Sequence, residues 1–411
     1  MEEANLAPSY PVPRSELERR VAALQRELRR SGIDLALFLQ NADLYYLAGT
    51  AVDATLAVPA VPEEGAPAAD PAPVLFVRRG VSRAREESPW PVVPFRSFRE
   101  IPAAMGERGL QPPKALGLEL DVLPYTTALR IAGYFPGVTL ADASPVLRRL
   151  RALKSPYEVE CIRRAARMQA GLPEQIRRWL RPGVTELELS AELERFLRRQ
   201  GHHGIARMRG LNNEVFVGAV AAGANALRTS KMDSPCGGPG LGPASPNGAG
   251  RHAIRPGEPV LVDLVGTCEG YMSDQTRMAV LGPPPAEVAR AHADMLRVQE
   301  VILSHLRPGV AWEVPYQAAV EEAARLGYAE TFLGTEGERV KFVGHGIGLE
   351  LDEYPFLAPG FVEPLEAGMV IAIEPKVSLP GVCVIGIENT FFLRPEGPER
   401  LTLPSDELIV I

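Results

Sequence analysis

The chain lacks several features that would assign it to a specialised class of protein. No apolar run reaches the roughly 18 residues that span a bilayer, so we do not expect a membrane protein. The start, Met1-Glu2-Glu3, is acidic and has neither the basic segment nor the apolar stretch of a secretory signal. The formal net charge is −7, which argues against general nucleic-acid binding because that function needs an excess of positive charge.

Cysteine is also scarce. The chain has four cysteines, widely spaced and without a Cys-x-x-Cys pair, so we expect reduced thiols in a cytoplasmic protein. A hydrophobic share of 46% and a charged share of 23% are typical of a globular protein, which excludes extensive disorder. The length of 411 residues is sufficient for two domains or for one large domain.

Short apolar strands alternate with helices in the first part of the chain. Ser15 and Glu18 form a capping-box pattern at the start of a helix that ends at Gly32. Further predicted elements are strands at 34–39, 74–77 and 116–120, a helix near 126–133, and a Pro/Ala-rich surface loop at 59–73. This alternation predicts a small α/β N-terminal domain over residues 1–153.

A second domain is predicted over residues 154–411. Ser155 and Glu158 form a capping box, with proline at the first helical position between them. The motif Leu-Arg-Pro-Gly-Val occurs at 180–184 and again at 306–310, each time between two helical segments and before two apolar strands that carry acids. The matching order predicts an α+β catalytic domain with an internal pseudo-twofold duplication. The Gly/Pro-rich loop at 233–250 holds the extra residues of the first half, and we expect it to form a wall of the site.

Acidic residues lie inside strongly apolar runs. Asp263 lies in Val-Leu-Val-Asp-Leu-Val, Glu374 ends Val-Ile-Ala-Ile-Glu, and Glu388 ends Val-Ile-Gly-Ile-Glu. Such runs are typical of strands buried on at least one face, where an unpaired charge costs several kcal/mol. A solvent-facing strand end would explain any one of these acids. Three of them together indicate a site that binds a cation.

The first pair of acids is predicted to lie on one hairpin. If residues 267–270 form a four-residue loop, Asp263 and Asp274 lie directly opposite each other on the two strands. Cross-strand neighbours have Cβ atoms about 4.5–5.5 Å apart, and like charges at that distance repel each other.

The second half of the domain repeats this arrangement. Glu374 and Glu388 are symmetric about Gly381, and Pro380-Gly381 is a strong turn signal. Two hairpins therefore present four carboxylates as two facing pairs. Without a cation these groups would have to take up protons, so we expect two divalent metal ions between them.

A nitrogen ligand is expected from His345 in Val-Gly-His-Gly-Ile-Gly, because the glycines permit close backbone approach and an unusual local conformation. A lone buried histidine is more often a core residue, but the glycines and the unpaired acids favour a ligand. Carboxylates with one imidazole form a hard site that favours Mn²⁺, with Co²⁺, Fe²⁺ or Zn²⁺ as alternatives. We call the following five residues the predicted ligand set: Asp263, Asp274, His345, Glu374 and Glu388.

The motifs around this set resemble those of the pita-bread metallopeptidases, which include methionine aminopeptidase, aminopeptidase P, prolidase and the non-peptidase creatinase. The matching stretches are Val262-Asp263, Ser273-Asp274-Gln275-Thr276-Arg277, Gly344-His345-Gly346-Ile347-Gly348, Ile373-Glu374-Pro375 and Ile387-Glu388-Asn389. The N-terminal region is similar to the creatinase-type N-terminal domain. The resemblance therefore covers nearly the whole chain and is nearer to aminopeptidase P and prolidase than to methionine aminopeptidase.

The resemblance implies a role for each member of the predicted ligand set. Asp274 and Glu388 would bridge two metal ions, Asp263 would bind one ion, and His345 and Glu374 would bind the other. Glu374 would also be the general base for a water that attacks the scissile carbonyl of an Xaa-Pro peptide. The resemblance further implies a homodimer.

The chain departs from the prolidase pattern at three places. Asp352 stands where a second histidine is usual, and we expect this acid to accept or relay a proton as a catalytic residue. Gly386 stands where an arginine is usual. A further histidine expected near Pro246 is absent, and His252 is the nearest candidate to replace it.

These departures leave other functions open. The scaffold is also used for non-peptide chemistry, such as C–N hydrolysis by creatinase and C–S cleavage by a lyase. A non-catalytic binding module is a third possibility, although such a protein has no need of a full ligand set. The substrate is expected to be a small peptide or another small molecule.

Other charged residues are expected to be structural or solvated. His202 and His203 follow a helix end, where a positive charge is favourable. A solvated helix face is expected for Arg148, Arg149 and Arg151. Glu350 and Glu353 are expected either on the surface or beside a positively charged substrate.

Overall fold

The structure is a computed structural model that describes residues 11–61, 72–229, 233–335, 337–403 and 405–411. It contains two compact units: one extends to Arg151 and includes Gly210–Asn212, and the other comprises Ala152–Arg209 and Asn213–Ile411. The predicted division into domains 1–153 and 154–411 stays a prediction, because compactness alone does not show that either part folds independently. Across the described residues, every helix is too short or too polar to cross a bilayer.

The N-terminal unit is built on one mixed sheet with the strand order β4-β3-β2-β1-β5-β6. Its elements are α1 (Arg14–Arg30), β1 (Leu35–Phe38), α2 (Asn41–Ala48), β2 (Asp53–Pro59), β3 (Val74–Arg79), α3 (Val81–Glu87), β4 (Val92–Pro94), α4 (Glu100–Gly106), β5 (Ala115–Leu118), α5 (Tyr125–Ala132), β6 (Thr139–Asp142) and α6 (Ser144–Ala152). Alternating strands and helices around a buried apolar core confirm the predicted α/β class.

Two local predictions in this unit are wrong. Helix α1 begins at Arg14 after Pro13, with no side-chain cap, and Glu18 accepts a hydrogen bond from Arg14 instead of closing a capping box. Arg151 is not solvated but buried, and its guanidinium lies 2.5 Å from the carboxylate of Asp43. Pro59, the first residue of the predicted loop at 59–73, is instead the last residue of β2, and residues 62–71 of that loop lie outside the described residues.

The second unit contains five helices and eleven strands among its described residues. These are α7 (Pro156–Gln169), α8 (Leu172–Trp179), α9 (Glu186–Arg199), β7 (Gly218–Ala222), a 3₁₀ turn (Gly223–Leu227), β8 (Pro259–Cys268), β9 (Tyr271–Val280), α10 (Ala286–His305), α11 (Glu313–Arg325), β10 (Gly344–Gly346), β11 (Glu353–Phe356), β12 (Val370–Ile373), β13 (Lys376–Leu379), β14 (Cys383–Gly386), β15 (Asn389–Arg394), β16 (Gly397–Arg400) and β17 (Ile409–Val410).

The predicted duplication is visible in the order of these elements. Each Leu-Arg-Pro-Gly-Val motif joins two helices, first α8 to α9 and then α10 to α11. Each helix pair is followed by a sheet, with the order β17-β9-β8-β7 in the first half and β11-β10-β12-β15-β16 in the second. Capping boxes at Ser155/Glu158 and Thr185/Glu188 start α7 and α9 as the sequence indicates. The α+β class is therefore confirmed.

The first acid-bearing hairpin has a different register from the one predicted. Strands β8 and β9 are joined by a two-residue turn, Glu269-Gly270, in which both residues have positive φ. Positive φ at both positions is typical of the tight turn that fits the twist of a hairpin. Asp263 therefore lies opposite Thr276, and Asp274 lies opposite Val265, so the two aspartates are diagonal neighbours. The observed register differs from the predicted one by an even number of residues, so both aspartates stay on one face of the sheet.

The register of the second hairpin is the predicted one. Lys376 pairs with Gly386 in the β13–β14 ladder, and Ile373 pairs with Asn389 in the β12–β15 ladder. Both ladders are symmetric about Gly381, which has φ of 74° in the turn. Glu374 and Glu388 lie between the two ladders, at positions opposite each other.

Candidate metal centre

The backbone around His345 is held in close contact with two neighbouring strands. A Cβ atom at Gly344 would lie 2.5 Å from the carbonyl oxygen of Ala372, and one at Gly346 would lie 2.1 Å from that of Tyr354. Only glycine fits at these two positions, as the sequence indicates. Neither has positive φ, so the glycines serve close approach and not an unusual backbone conformation. The imidazole between them is 3% exposed.

The acids of the predicted ligand set share this buried environment. Asp274, Glu374 and Glu388 are all buried, and the side chain of Asp263 is 18% exposed. Alternation along β8 explains the position of Asp263, because Val262 and Leu264 on the opposite face pack into an apolar core. The predicted cluster of buried carboxylates is therefore present.

Three members of the set lie close enough to share a cation. Asp274, His345 and Glu388 each place one ligand atom within 4.8 Å of the others. His345 Nε2 lies 3.5 Å from Glu374 Oε1 and 3.9 Å from Glu388 Oε1. In the part of the chain that the structure describes, Asp274 Oδ1 is buried without a hydrogen-bond partner. These atoms surround a position suited to one metal ion.

A residue that the sequence analysis did not identify lies on the other side of the cluster. Lys376 is fully buried, and its Nζ donates hydrogen bonds to Asp263 Oδ2 at 3.0 Å, Glu374 Oε2 at 2.6 Å and Glu388 Oε2 at 3.1 Å. The signal was available in the sequence: the predicted register places Lys376 opposite Gly386, two residues from Glu374. An unexpected cation therefore contacts three of the four carboxylates.

The pKa values in the cluster are shifted by burial and by mutual repulsion. Burial raises the pKa of Asp274 well above its usual value, and the charges of Glu388 and Asp263 add to the effect. The pKa of Glu388 is also raised, chiefly by burial, although Lys376 opposes the shift. Burial alone would lower the pKa of Lys376, but the surrounding carboxylates outweigh it and raise that pKa well above its usual value.

The sequence motif that contains Asp274 also holds Glu388 in place. Thr276 Oγ1 donates a hydrogen bond of 2.9 Å to Glu388 Oε2. The buried guanidinium of Arg277 donates to the carbonyl oxygen of Glu388 at 2.9 Å. Thr390 Oγ1 accepts a hydrogen bond from Asp274 N at 2.9 Å. These bonds connect the sheets of the two halves and fix the acids relative to each other.

Asp352 contacts the histidine of the predicted ligand set. Its Oδ1 lies 3.3 Å from His345 Nδ1, which also lies 3.1 Å from the carbonyl oxygen of Gly346. The opposite ring nitrogen, Nε2, faces the glutamates. A carboxylate at Nδ1 is the usual partner of a metal-binding histidine, because it fixes the ring orientation and raises its basicity. The observed contact gives Asp352 a positioning role and leaves its predicted proton relay as a prediction.

The other histidines and acids considered in the sequence lie outside the cluster. His252 pairs with Glu258 at 2.9 Å and does not replace the missing histidine. His202 is buried, with Nε2 bonded to the carbonyl oxygen of Val265 and Nδ1 accepting from Gly204 N. Both ring nitrogens are satisfied in the neutral form, and burial lowers the pKa of His202 to about 4. The prediction that His202 carries a favourable positive charge at this helix end is therefore wrong.

Glu350 and Glu353 are also buried instead of lying on the surface. Glu350 lies 3.5 Å from the guanidinium of Arg209, and Glu353 lies 3.1 Å from Lys154 Nζ. Both acids are neutralised by cations of this unit, so they do not supply negative charge to a substrate.

The predicted ligand set opens onto a cleft with an empty volume of about 630 Å³. Part of its wall comes from the Gly/Pro-rich loop, through Asp233, Ser234, Cys236 and Asn247, as predicted. The apolar part of the lining consists of Met208, Val215, Val265, Phe342 and Leu351. Anionic groups at the base with apolar side chains beside them suit a small ligand that has both polar and apolar parts.

Comparison with known families agrees with this geometry. The family model described as metallopeptidase family M24 matches residues 160–395, and that of the creatinase/prolidase N-terminal domain matches residues 20–153. These matches confirm the resemblance found in the motifs.

Similar proteins cover both units of the chain. A protein named probable dipeptidase PepE from Mycobacterium bovis is 31% identical over 297 residues, covering 71% of this chain and 68% of the relative. A protein named Xaa-Pro dipeptidase from Pyrococcus horikoshii is 26% identical over 392 residues, covering 92% and 95%. The solved structure of an Xaa-Pro dipeptidase from Bacillus anthracis has a TM-score of 0.80 and 24% identity, covering 96% of this chain and 100% of that one. This last likeness shows the shared fold.

Proposed function

This chain belongs to metallopeptidase family M24, and we propose that it is a metal-dependent peptidase that cleaves the Xaa-Pro bond of small peptides. The observation that carries the proposal is the convergence of the predicted ligand set at the base of one cleft. The name probable dipeptidase of one relative supports a peptide substrate, and the name Xaa-Pro dipeptidase of another supports proline after the scissile bond.

The donor atoms fit a divalent ion. Asp274 Oδ1 is buried without a partner among the described residues, which is costly for a carboxylate unless a cation binds there. We infer that Asp274, His345, Glu374 and Glu388 hold the ion. Three carboxylates and one imidazole form an oxygen-rich site, so we favour Mn²⁺, with Co²⁺, Fe²⁺ or Zn²⁺ as alternatives.

The positions of the side chains support a hydrolytic mechanism. A divalent ion held by these four residues would supply Lewis acidity, which polarises a carbonyl group and lowers the pKa of water. Glu374 is the general base: it accepts the proton of the attacking water and passes it to the leaving proline nitrogen. Asp352 holds His345 in the orientation that presents Nε2 to the cluster. Phe342 and Leu351 offer apolar surface to the proline ring.

Two finer points of the sequence analysis stay predictions. They are the count of two metal ions, with Asp263 as a ligand of one, and the choice between a dipeptidase and an aminopeptidase. A homodimer is proposed from the resemblance and is tested by light scattering during gel filtration. A cytoplasmic location is proposed because all four cysteines are free and buried, as expected in a reducing compartment.

A second candidate function is non-peptide hydrolysis or lysis of a small molecule. The observation that favours it is the absence of the arginine and the second histidine usual in prolidases, at Gly386 and Asp352. Without them the cleft offers fewer groups to bind a peptide backbone.

One experiment separates the candidates. The purified protein, loaded with Mn²⁺, is assayed on Xaa-Pro dipeptides, longer Xaa-Pro peptides, and small C–N and C–S substrates, with its metal content measured in parallel. The proposal expects Xaa-Pro cleavage that is lost in Glu374→Gln while metal is largely retained. Cleavage of the small substrates alone would support the second candidate. A protein that binds no metal and shows no turnover of any substrate would instead support a non-catalytic binding module.

A further inference from the structure

The side chain of Lys376 uses all of its hydrogen-bonding capacity inside the carboxylate cluster. An ammonium group has three N–H donors. They are directed to one oxygen each of Asp263, Glu374 and Glu388, at 3.0, 2.6 and 3.1 Å. The ammonium thus lies where a metal ion bound to these three oxygens would lie.

The two glutamates divide their oxygens between two positions. In each, Oε2 contacts Lys376 Nζ, whereas Oε1 is directed toward His345 Nε2, at 3.5 Å for Glu374 and 3.9 Å for Glu388. Asp274 completes the histidine side of the cluster, and Asp263 completes the lysine side. The cluster therefore has two cation positions, and the chain itself fills one of them.

We propose that Lys376 takes the place of one metal, so that the centre binds a single divalent ion per chain, on the side of Asp274 and His345. The proposal rests on the proposed function only for the presence of that one ion. Lys376 then neutralises Asp263 and the shared glutamates, the task that a second divalent ion would otherwise perform.

Steric and electrostatic reasons keep a second ion out. A divalent ion bound to the same oxygens needs distances of roughly 2.0–2.2 Å, which would bring it into contact with the ammonium. Two cations at that separation repel each other strongly in a buried site. Lys376 is fully buried and belongs to the β13–β14 ladder, so its side chain would have to leave a closed environment.

Gly386 provides the space for this lysine. It lies opposite Lys376 in the ladder, and a Cβ atom at Gly386 would be 2.4 Å from Lys376 Cγ, 2.8 Å from the carbonyl oxygen of Pro375 and 3.0 Å from Lys376 Cα. A larger residue at 386 would therefore clash with the backbone as well as with the buried side chain of Lys376. Glycine at 386 leaves room for the extra cation at 376.

The test is the number of ions bound. Wild-type protein, Lys376→Ala and the exposed-lysine control Lys114→Ala are dialysed against excess Mn²⁺, and bound metal is measured by mass spectrometry. We expect one ion per chain for the wild type and the control, and two for Lys376→Ala, which removes both the charge and the side-chain atoms from the second position. Electron paramagnetic resonance should show isolated Mn²⁺ in the wild type and an exchange-coupled pair in the variant.

Several outcomes would overturn the proposal. Two ions in the wild type would show that Lys376 gives way to metal, and one ion in a folded Lys376→Ala would show that Lys376 is not what excludes the second ion. If the variant does not fold, anomalous diffraction from wild-type crystals with Mn²⁺ decides, since a single peak beside His345 is expected and two peaks would contradict it. One ion without Xaa-Pro cleavage would defeat the proposed function alone, whereas no bound ion would defeat both.

Discussion

The stability of the metal-free protein should depend strongly on Lys376. Replacing it with alanine removes three charge-assisted hydrogen bonds, each worth about 1.5–3 kcal/mol. Proton uptake by Asp263 or Glu388, whose pKa values are already raised by burial, offsets part of this loss. Removing one partner from a buried ion pair costs about 3–5 kcal/mol in total. We therefore expect Lys376→Ala to lose about that much in the free energy of unfolding.

Thermal melting with and without Mn²⁺ measures this loss. In a unit of this size 1 kcal/mol corresponds to about 2–4 °C, so the metal-free variant should melt roughly 10 °C below the wild type. An ion bound at a hundred times its dissociation constant adds about 2.7 kcal/mol, and the variant gains from one ion more than the wild type. Saturating Mn²⁺ should therefore reduce the difference in melting temperature between the variant and the wild type. A metal-free midpoint within about 2 °C of the wild type would refute the reasoning, as would a gap that Mn²⁺ leaves unchanged.

Three further changes test other contacts. Asp352→Asn removes the anion at His345 Nδ1, and titration calorimetry should show roughly 10–100-fold weaker Mn²⁺ binding; unchanged affinity would contradict its positioning role. The pKa of His202 is about 4 in the folded protein, whereas its usual value is 6.5. Its contribution to the free energy of unfolding is therefore full above pH 6.5 and decreases as the pH falls toward 4, by up to about 3 kcal/mol. His202→Gln should flatten the pH dependence of the urea midpoint between these pH values, and an equally steep profile in the variant would contradict the lowered pKa of His202. Gly386→Ala should destabilise the protein by about 1–3 kcal/mol, because its Cβ would lie 2.4 Å from Lys376 Cγ and 2.8 Å from the carbonyl oxygen of Pro375. Lys376→Ala in the same chain should relieve the side-chain part of this clash, and strictly additive losses in urea unfolding would show that the Lys376 side chain does not contribute to it.

Parts of the site could be predicted because strands have a simple period. Acids in apolar runs had to lie on buried strands, and alternation with period two fixed which side chains share a face. Asp263 and Asp274 therefore lie on one face even though the predicted register was wrong. Glu374 and Glu388 lie opposite each other because a Pro-Gly turn marks the centre of their hairpin. In both hairpins the pattern of nearby residues was sufficient to predict which acids lie on the same face.

The predictions that were wrong concerned details that the local sequence pattern does not contain. The turn at Glu269-Gly270 has two residues instead of four because Glu269 adopts positive φ, a conformation that its residue type rarely adopts. Arg151 was expected in solvent, but it is buried against Asp43, more than a hundred residues away in the sequence. Burial of a charge depends on its partner, and the sequence alone does not show which partner comes near.

The sequence by itself determined the fold class, the duplicated order of helices and sheets, and the residue types of a cation site. Only the tertiary structure decided how that site is divided. It placed Lys376 among three carboxylates by bringing together strands from both halves of the second unit, and it placed Asp352 behind His345 within the second half. The physical reason is that hydrophobic periodicity specifies which face of a strand is buried. Electrostatic neutralisation, in contrast, depends on distances of a few ångströms between residues far apart in the chain.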